Sequence, residues 1–114
     1  MHSREWRLRI EDIIEAIEKI RAYTAEMSLE AFGADSKAVD AVIRNVEIIG
    51  EASRHLPRDI CARFPKIPWD EMRGIRNVLI HEYFGVDLAI LWETIKRDLP
   101  PLLPHLRRIL EESE

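Results

Sequence analysis

Apolar residues return every three or four positions along nearly the whole of this chain, a spacing that fits helices and little else. Trp6, Ile10, Ile13, Ile14, Ile17 and Ile20 make the first such row, with Glu11, Asp12, Glu15, Glu18 and Lys19 on the opposite side. Strand signals are nearly absent: there are two threonines, no Asn-Gly or Asp-Gly turn, and no sustained alternation of apolar and polar residues. The expected fold class is therefore all-α, an up-down four-helix bundle with short connections. With 114 residues, a single helical domain spanning 1–114 is expected, with a radius of gyration of about 13 Å.

Breakers and caps divide the pattern. The first helix should fade near Met27, ahead of a break at Gly33-Ala34-Asp35-Ser36, where Asp35 or Ser36 can cap the second. That second helix carries Val39, Val42, Val46, Ile49 and Ala52, and Pro57 ends it near Leu56. The segment from Pro57 to Pro68 holds three prolines and reads as a connector with at most a short helical turn. A third helix is expected from Trp69 to Tyr83, burying Met72, Ile75 and Leu79, with Gly85 closing it. Asp87 can cap the fourth, built on Leu88, Leu91, Trp92 and Ile95. Pro100, Pro101 and Pro104 should bend or restart it, since each removes a backbone donor. Gly50 and Gly74 fall inside expected helices at about 1 kcal/mol each, offset either by a close approach of helices two and three or by a tolerated irregular turn.

Charge narrows the function. Lys and Arg number 17 against 21 Asp and Glu, a formal net charge of −4, so any nucleic-acid contact must come from a local patch. Cys61 is the single cysteine, which fits a reducing, cytoplasmic setting, and it reads as a small buried filler. The N-terminal residues lack a signal-peptide core and no apolar run is long enough to span a bilayer, so no membrane partner is expected. His2, His55 and His105 are scattered without ligand spacing, and no metal or other cofactor is expected. Trp6, Trp69 and Trp92 read as core or interface, Trp69 being the one expected to stay partly exposed.

The locally basic stretch lies between Arg63 and His81, where Arg63, Lys66, Arg73 and Arg76 outnumber Asp70 and Glu71. An arginine fork can hold a phosphate by two parallel bonds, and histidine can give and take a proton near neutral pH. Arg76 and His81 together supply the minimum for metal-free RNA cleavage. The imidazole deprotonates a ribose 2′-hydroxyl or protonates the leaving 5′-oxygen, while the guanidinium stabilises charge on phosphorus. On an ideal helix the two side chains project about 140° apart. They converge only if the helix distorts or ends near Ile80, or if two copies of the chain contribute across a dimer interface. Asn77 and His81, four apart, would share a helix face. The bland alternative is that Arg76 and His81 are surface residues near a helix C-terminus, where positive charge is stabilising. Glu47 could hold Arg73 or Arg76 in place, or Glu47 and Glu51 could belong to a solvated charged face with intrahelical ion pairs.

The run Arg76-Asn77-Val78-Leu79-Ile80-His81-Glu82-Tyr83 resembles the Arg-x4-His-x-Tyr motif of the HEPN superfamily, and more closely that of HepT-like toxins encoded beside minimal nucleotidyltransferases. Asn45 to Ala52 and Trp69 to Gly74 resemble the family's second helix and the lead-in to its motif, so the likeness covers most of the chain in order. The resemblance implies a metal-independent endoribonuclease toxin of a type VII toxin-antitoxin system, working as a homodimer whose motif helices line a shared cleft. It makes Arg76, Asn77 and His81 catalytic and leaves Arg73 and Glu47 as possible supports. Tyr83 would accept AMP from a cognate minimal nucleotidyltransferase antitoxin, which closes the RNA cleft. Some members of the superfamily bind without cleaving. The alternatives are thus a catalytically silent module that binds nucleotide or RNA or docks a nucleotidyltransferase, and an inert helical interaction protein.

Overall fold

The first apolar row folds as α1 (Glu5–Thr24), burying Trp6, Ile10, Ile13, Ile17 and Ile20. The computed structural model describes residues 5–81 and 85–112, without the side chains of Val78, Ile80 and His81. Helix α1 stops at Thr24, short of Met27, where the threonine hydroxyl donates back to the Ile20 carbonyl at 2.8 Å. Ser28 then caps a helix the sequence reading leaves out, α2 (Leu29–Ala34), by accepting from the Ala31 amide. Gly33 thus lies inside α2, and the break narrows to Asp35. The Asp35 carboxylate accepts from the Ala38 amide at 3.1 Å and starts α3 (Ser36–Arg54). The connector holds one short helix, α4 (Arg58–Ala62), as expected.

The continuous third helix does not form. Met72 and Trp69 anchor α5 (Trp69–Arg73), which ends at Gly74, and α6 (Ile75–Leu79) follows. At Ile80 the chain leaves helical geometry altogether: β1 (Ile80–His81) pairs antiparallel with β2 (Gly85–Val86), Ile80 opposite Val86 and His81 opposite Gly85. The Asp87 amide donates to the Leu79 carbonyl at 3.2 Å and closes the base of this hairpin. β-branched Ile80 and Val86 favour extended backbone. Gly85 sits at φ +76°, a left-handed conformation that glycine adopts without a Cβ penalty. It therefore shapes a hairpin and does not close a helix.

Asp87 caps α7 (Leu88–Glu93) through the Ile90 amide, as expected. Residues Thr94–Asp98 then widen into a π turn, with the Leu99 amide reaching the Thr94 carbonyl at 3.0 Å. Pro100 and Pro101 have no N–H for the carbonyls four residues back, so α-helical bonding cannot continue there. The chain restarts as α8 (Leu102–Glu112). Pro104 is accommodated in the first turn of α8, where amides have no intrahelical partner in any case.

These pieces make an all-α bundle. Helix α1 packs most extensively on α3, α8 closes over α1, and α5 and α6 lie against α3. Arg7 donates to the Leu110 carbonyl at 3.0 Å and Lys96 to the Thr24 carbonyl at 2.7 Å, tying the last helical stretch to the first. A Cβ at Gly50 would stand 3.5 Å from Ile75 Cγ2 and 3.6 Å from the Met72 carbonyl, ordinary contact distances, so the packing of α3 on α5 and α6 does not require glycine there. Gly74 marks the irregular turn between α5 and α6. Trp69 is buried, contrary to expectation, because its indole donates to the Phe64 carbonyl at 3.0 Å. Cys61 is buried, as a filler should be. Among the described residues, no helix is long and apolar enough to cross a membrane.

Candidate functional site

Ile75 and Leu79 are both buried, and being four apart they fix one face of α6 against the core. Arg76 and Asn77 occupy the other side and are exposed. The Asn77 amide donates to the Gly74 carbonyl at 3.0 Å, so the turn that ends α5 also starts the segment carrying Arg76. Helix α6 ends at Leu79, two residues before His81, which belongs to β1. The ideal-helix separation of about 140° therefore does not govern Arg76 and His81. The same break removes the i, i+4 pairing of Asn77 with His81, because the two are not on one helix. Tyr83 lies outside the described residues.

Arg76 opens onto a groove of about 380 Å³ floored by α1 and α3. Arg9 and Asp12 line it from α1; Arg44, Glu47 and Glu51 line it from α3. Positions 44, 47 and 51 follow helical spacing and so share a face. The groove thus unites Arg76 with Glu47, though no ion pair joins them. Glu51 is committed elsewhere: it bonds Arg54 at 2.7 Å, three residues on, which holds its carboxyl below the usual carboxylate range. This is the intrahelical pairing expected of a solvated face. Arg9 is likewise paired within its helix, to Glu5 at 3.5 Å. Among the described residues, Arg44 and Arg76 have no carboxylate partner.

Arg73 is not part of that groove. Its guanidinium pairs with Asp70 and touches Cys61 Sγ at 3.8 Å, and Asp70 holds the arginine more firmly protonated. It lines a neighbouring groove of about 520 Å³ with Arg54, Arg58 and Cys61. Arg54 donates to the Arg73 carbonyl at 3.0 Å and borders both grooves. The expected support of Arg73 by Glu47 is therefore replaced by the local partner three residues away. Burial pushes the Cys61 thiol up, so it stays protonated near neutral pH. Arg9, Asp12 and Arg54 escaped sequence reasoning, since only the packing of α1 and α6 on α3 brings them near Arg76. Among the described residues, no group of three or more His, Cys, Asp or Glu is placed to hold a metal ion.

A family model described as "Ribonuclease HepT-like" matches residues 13–109. The protein named "Probable ribonuclease HepT" from Thermococcus cleftensis is 53% identical over 93 residues, covering 82% of this chain and 84% of that protein. A Methanocaldococcus jannaschii protein named a "Putative RNase" is 38% identical over 115 residues, covering 100% of this chain and 94% of that one. A second protein of that organism, named "Gamma-glutamylcyclotransferase and putative RNase", is 40% identical over 108 residues, and the match spans 49% of its length. No solved structure gives a significant match.

Proposed function

The chain belongs to the HepT-like ribonuclease family, and from that premise we propose that it is an endoribonuclease that cuts RNA without a metal ion, using Arg76, Asn77 and His81. The observation that carries this reading is the break after α6. Arg76 stands exposed at a charged groove, and the helix ends two residues before His81. The two motif residues are thereby released from the opposed directions of an ideal helix.

In the proposed reaction the ribose 2′-oxygen bonds to phosphorus while the bond from phosphorus to the 5′-oxygen breaks. The products are a 2′,3′-cyclic phosphate and a free 5′-hydroxyl. His81 takes the 2′-hydroxyl proton or supplies one to the leaving oxygen, worth about 10²–10⁴-fold in rate. Arg76 holds the non-bridging oxygens as charge builds on them. Asn77, beside Arg76 on the exposed side of α6, hydrogen-bonds the same stretch of RNA. A homodimer brings two copies of the motif to one cleft and so supplies both a base and an acid.

The same reading makes the protein a toxin held in check by a minimal nucleotidyltransferase. That enzyme transfers AMP from ATP to the Tyr83 hydroxyl, with pyrophosphate leaving, and the added phosphate repels the RNA backbone. The setting is cytoplasmic. The deciding experiment is RNA cleavage in excess EDTA by wild type beside His81→Ala, after intact-mass analysis of each preparation. Cleavage by the wild type alone supports the proposal. Silence from both unmodified proteins across several RNAs overturns it in favour of a binding module. Co-expression with a cognate nucleotidyltransferase should add AMP masses that disappear in Tyr83→Phe; persistence of the adduct would assign another acceptor.

A further inference from the structure

The described cations divide by whether a carboxylate neutralises them. Arg9, Lys19, Arg54, Arg73, Arg97 and Arg107 each sit within 3.5 Å of a carboxylate oxygen. Arg63, Lys66 and Arg108 have no such partner among the described residues, and all three line one groove of about 240 Å³ together with Phe64 and His105. The groove lies apart from Arg76, at the junction of the connector with α8. Among the described residues, Glu112 is the one carboxylate lining it, and no ion pair ties it to Arg108. Among the described residues, three permanent cations against one acid make a local excess in a chain whose formal net charge is −4.

The groove is also held in shape. The Arg63 guanidinium lies over the Phe64 ring, 5.5 Å from its centroid, which restricts an otherwise mobile side chain and aims its fork. Phe64 is fixed in turn: its amide donates to the Cys61 carbonyl, and its carbonyl accepts from the Ile67 amide and the Trp69 indole. Lys66 stands between Pro65 and buried Ile67 and projects from a stiff, anchored backbone. From α8, His105 and Arg108 are three apart on one side while buried Leu106 and Ile109 hold the helix to the core.

We propose that this groove binds the sugar-phosphate backbone of single-stranded RNA at a distance from the scissile bond. Arg63, Lys66 and Arg108 neutralise successive phosphates, and the Arg63–Phe64 stack offers a flat surface to an unpaired base. The identity of the polyanion rests on the ribonuclease reading above. The expected consequence is selectivity for length: RNA long enough to reach from Arg76 to this groove is held more tightly, while a dinucleotide gains nothing.

The test compares wild type with Arg63→Gln/Lys66→Gln/Arg108→Gln, which retains aliphatic stems on an exposed surface, after checking that the two melt alike. The probe is a fluorescent, 2′-O-methylated oligouridine that cannot be cleaved, titrated across salt concentrations in EDTA. The triple variant should bind at least tenfold more weakly, with the slope of log K against log salt shallower by about 2. Glu112→Gln should tighten binding. In cleavage assays KM for a long RNA should rise in the triple variant with kcat unchanged, and dinucleotide turnover should not move. An unchanged salt slope overturns the groove, and does so even where the wild type cleaves, leaving the ribonuclease reading intact. A wild type that binds the oligouridine through this groove yet cleaves no RNA keeps the groove and overturns the nuclease. A folded wild type with no affinity for the probe overturns the groove as well.

Discussion

Arg76 stands on the exposed side of a five-residue helix whose other side is fixed by Ile75 and Leu79. Nothing in the described fold depends on its charge, which separates function from stability at this position. Arg76→Ala should lower RNA cleavage by about 10²–10³-fold while shifting unfolding by no more than about 0.5 kcal/mol. Single-turnover kinetics beside urea denaturation check both halves. Cys61 makes the opposite case, a titratable group that belongs to the core. Its pKa is raised by burial, so its contribution to stability is complete below the unfolded thiol's pKa of about 8.5 and is lost as pH rises through the higher folded value. The urea midpoint of the wild type should therefore fall from pH 8 to pH 10 more steeply than that of Cys61→Ala. Equal slopes would show that the thiol does not ionise differently in the two states.

At the scale of elements, local chemistry and tertiary context divided the work. Asp35 and Asp87 each cap a helix through the amide three residues on, an interaction within one turn of chain that spacing alone reveals. The hairpin after α6 was not legible in that way. Ile75 and Leu79 continue the apolar period toward His81, and short apolar runs fit helix and strand alike. What decides between them is pairing of Ile80 and His81 with Gly85 and Val86, which becomes possible only once Gly85 adopts positive φ. A Cβ at Gly85 would meet nothing within 4 Å, so the cost of Gly85→Ala is conformational alone, about 1–2 kcal/mol. Because Gly85 pairs with His81, that variant should lose cleavage activity beyond what its lowered melting temperature explains. Activity measured well below the transition, beside the melting curve, distinguishes the two effects. Full activity there would detach the hairpin from catalysis.

The whole molecule measures 46 × 30 × 21 Å, with a radius of gyration of 14.4 Å, a little above the roughly 13 Å of a sphere-like domain of this length. The described buried apolar side chains form one cluster reaching from Trp6 in α1 to Ile109 in α8. Such a core should unfold in a single step. Trp6, Trp69 and Trp92 stand in α1, α5 and α7, so tryptophan fluorescence samples separate parts of the fold. Fluorescence and far-ultraviolet circular dichroism should give coincident urea transitions. Transitions that separate would mean that the broken α5–α6 segment, or the α7–α8 stretch, opens independently.

The amino-acid sequence by itself determined the helical class, a cap at Asp35 or Ser36 and another at Asp87, the restart imposed by Pro100 and Pro101, and the family to which the chain belongs. Each of these rests on interactions within a few residues or on a run of residue types, and both are written directly in the order of the chain. Tertiary structure alone decided that the expected third helix breaks into α5, α6 and a hairpin, and that Arg76 shares a groove with Glu47 while Arg73 turns to Asp70. It also decided that Arg63, Lys66 and Arg108 gather in one groove. Residues far apart in sequence come together only when α3 packs on α1, and α8 settles beside the connector. Those placements follow from burying one shared core, a condition that no local spacing can express.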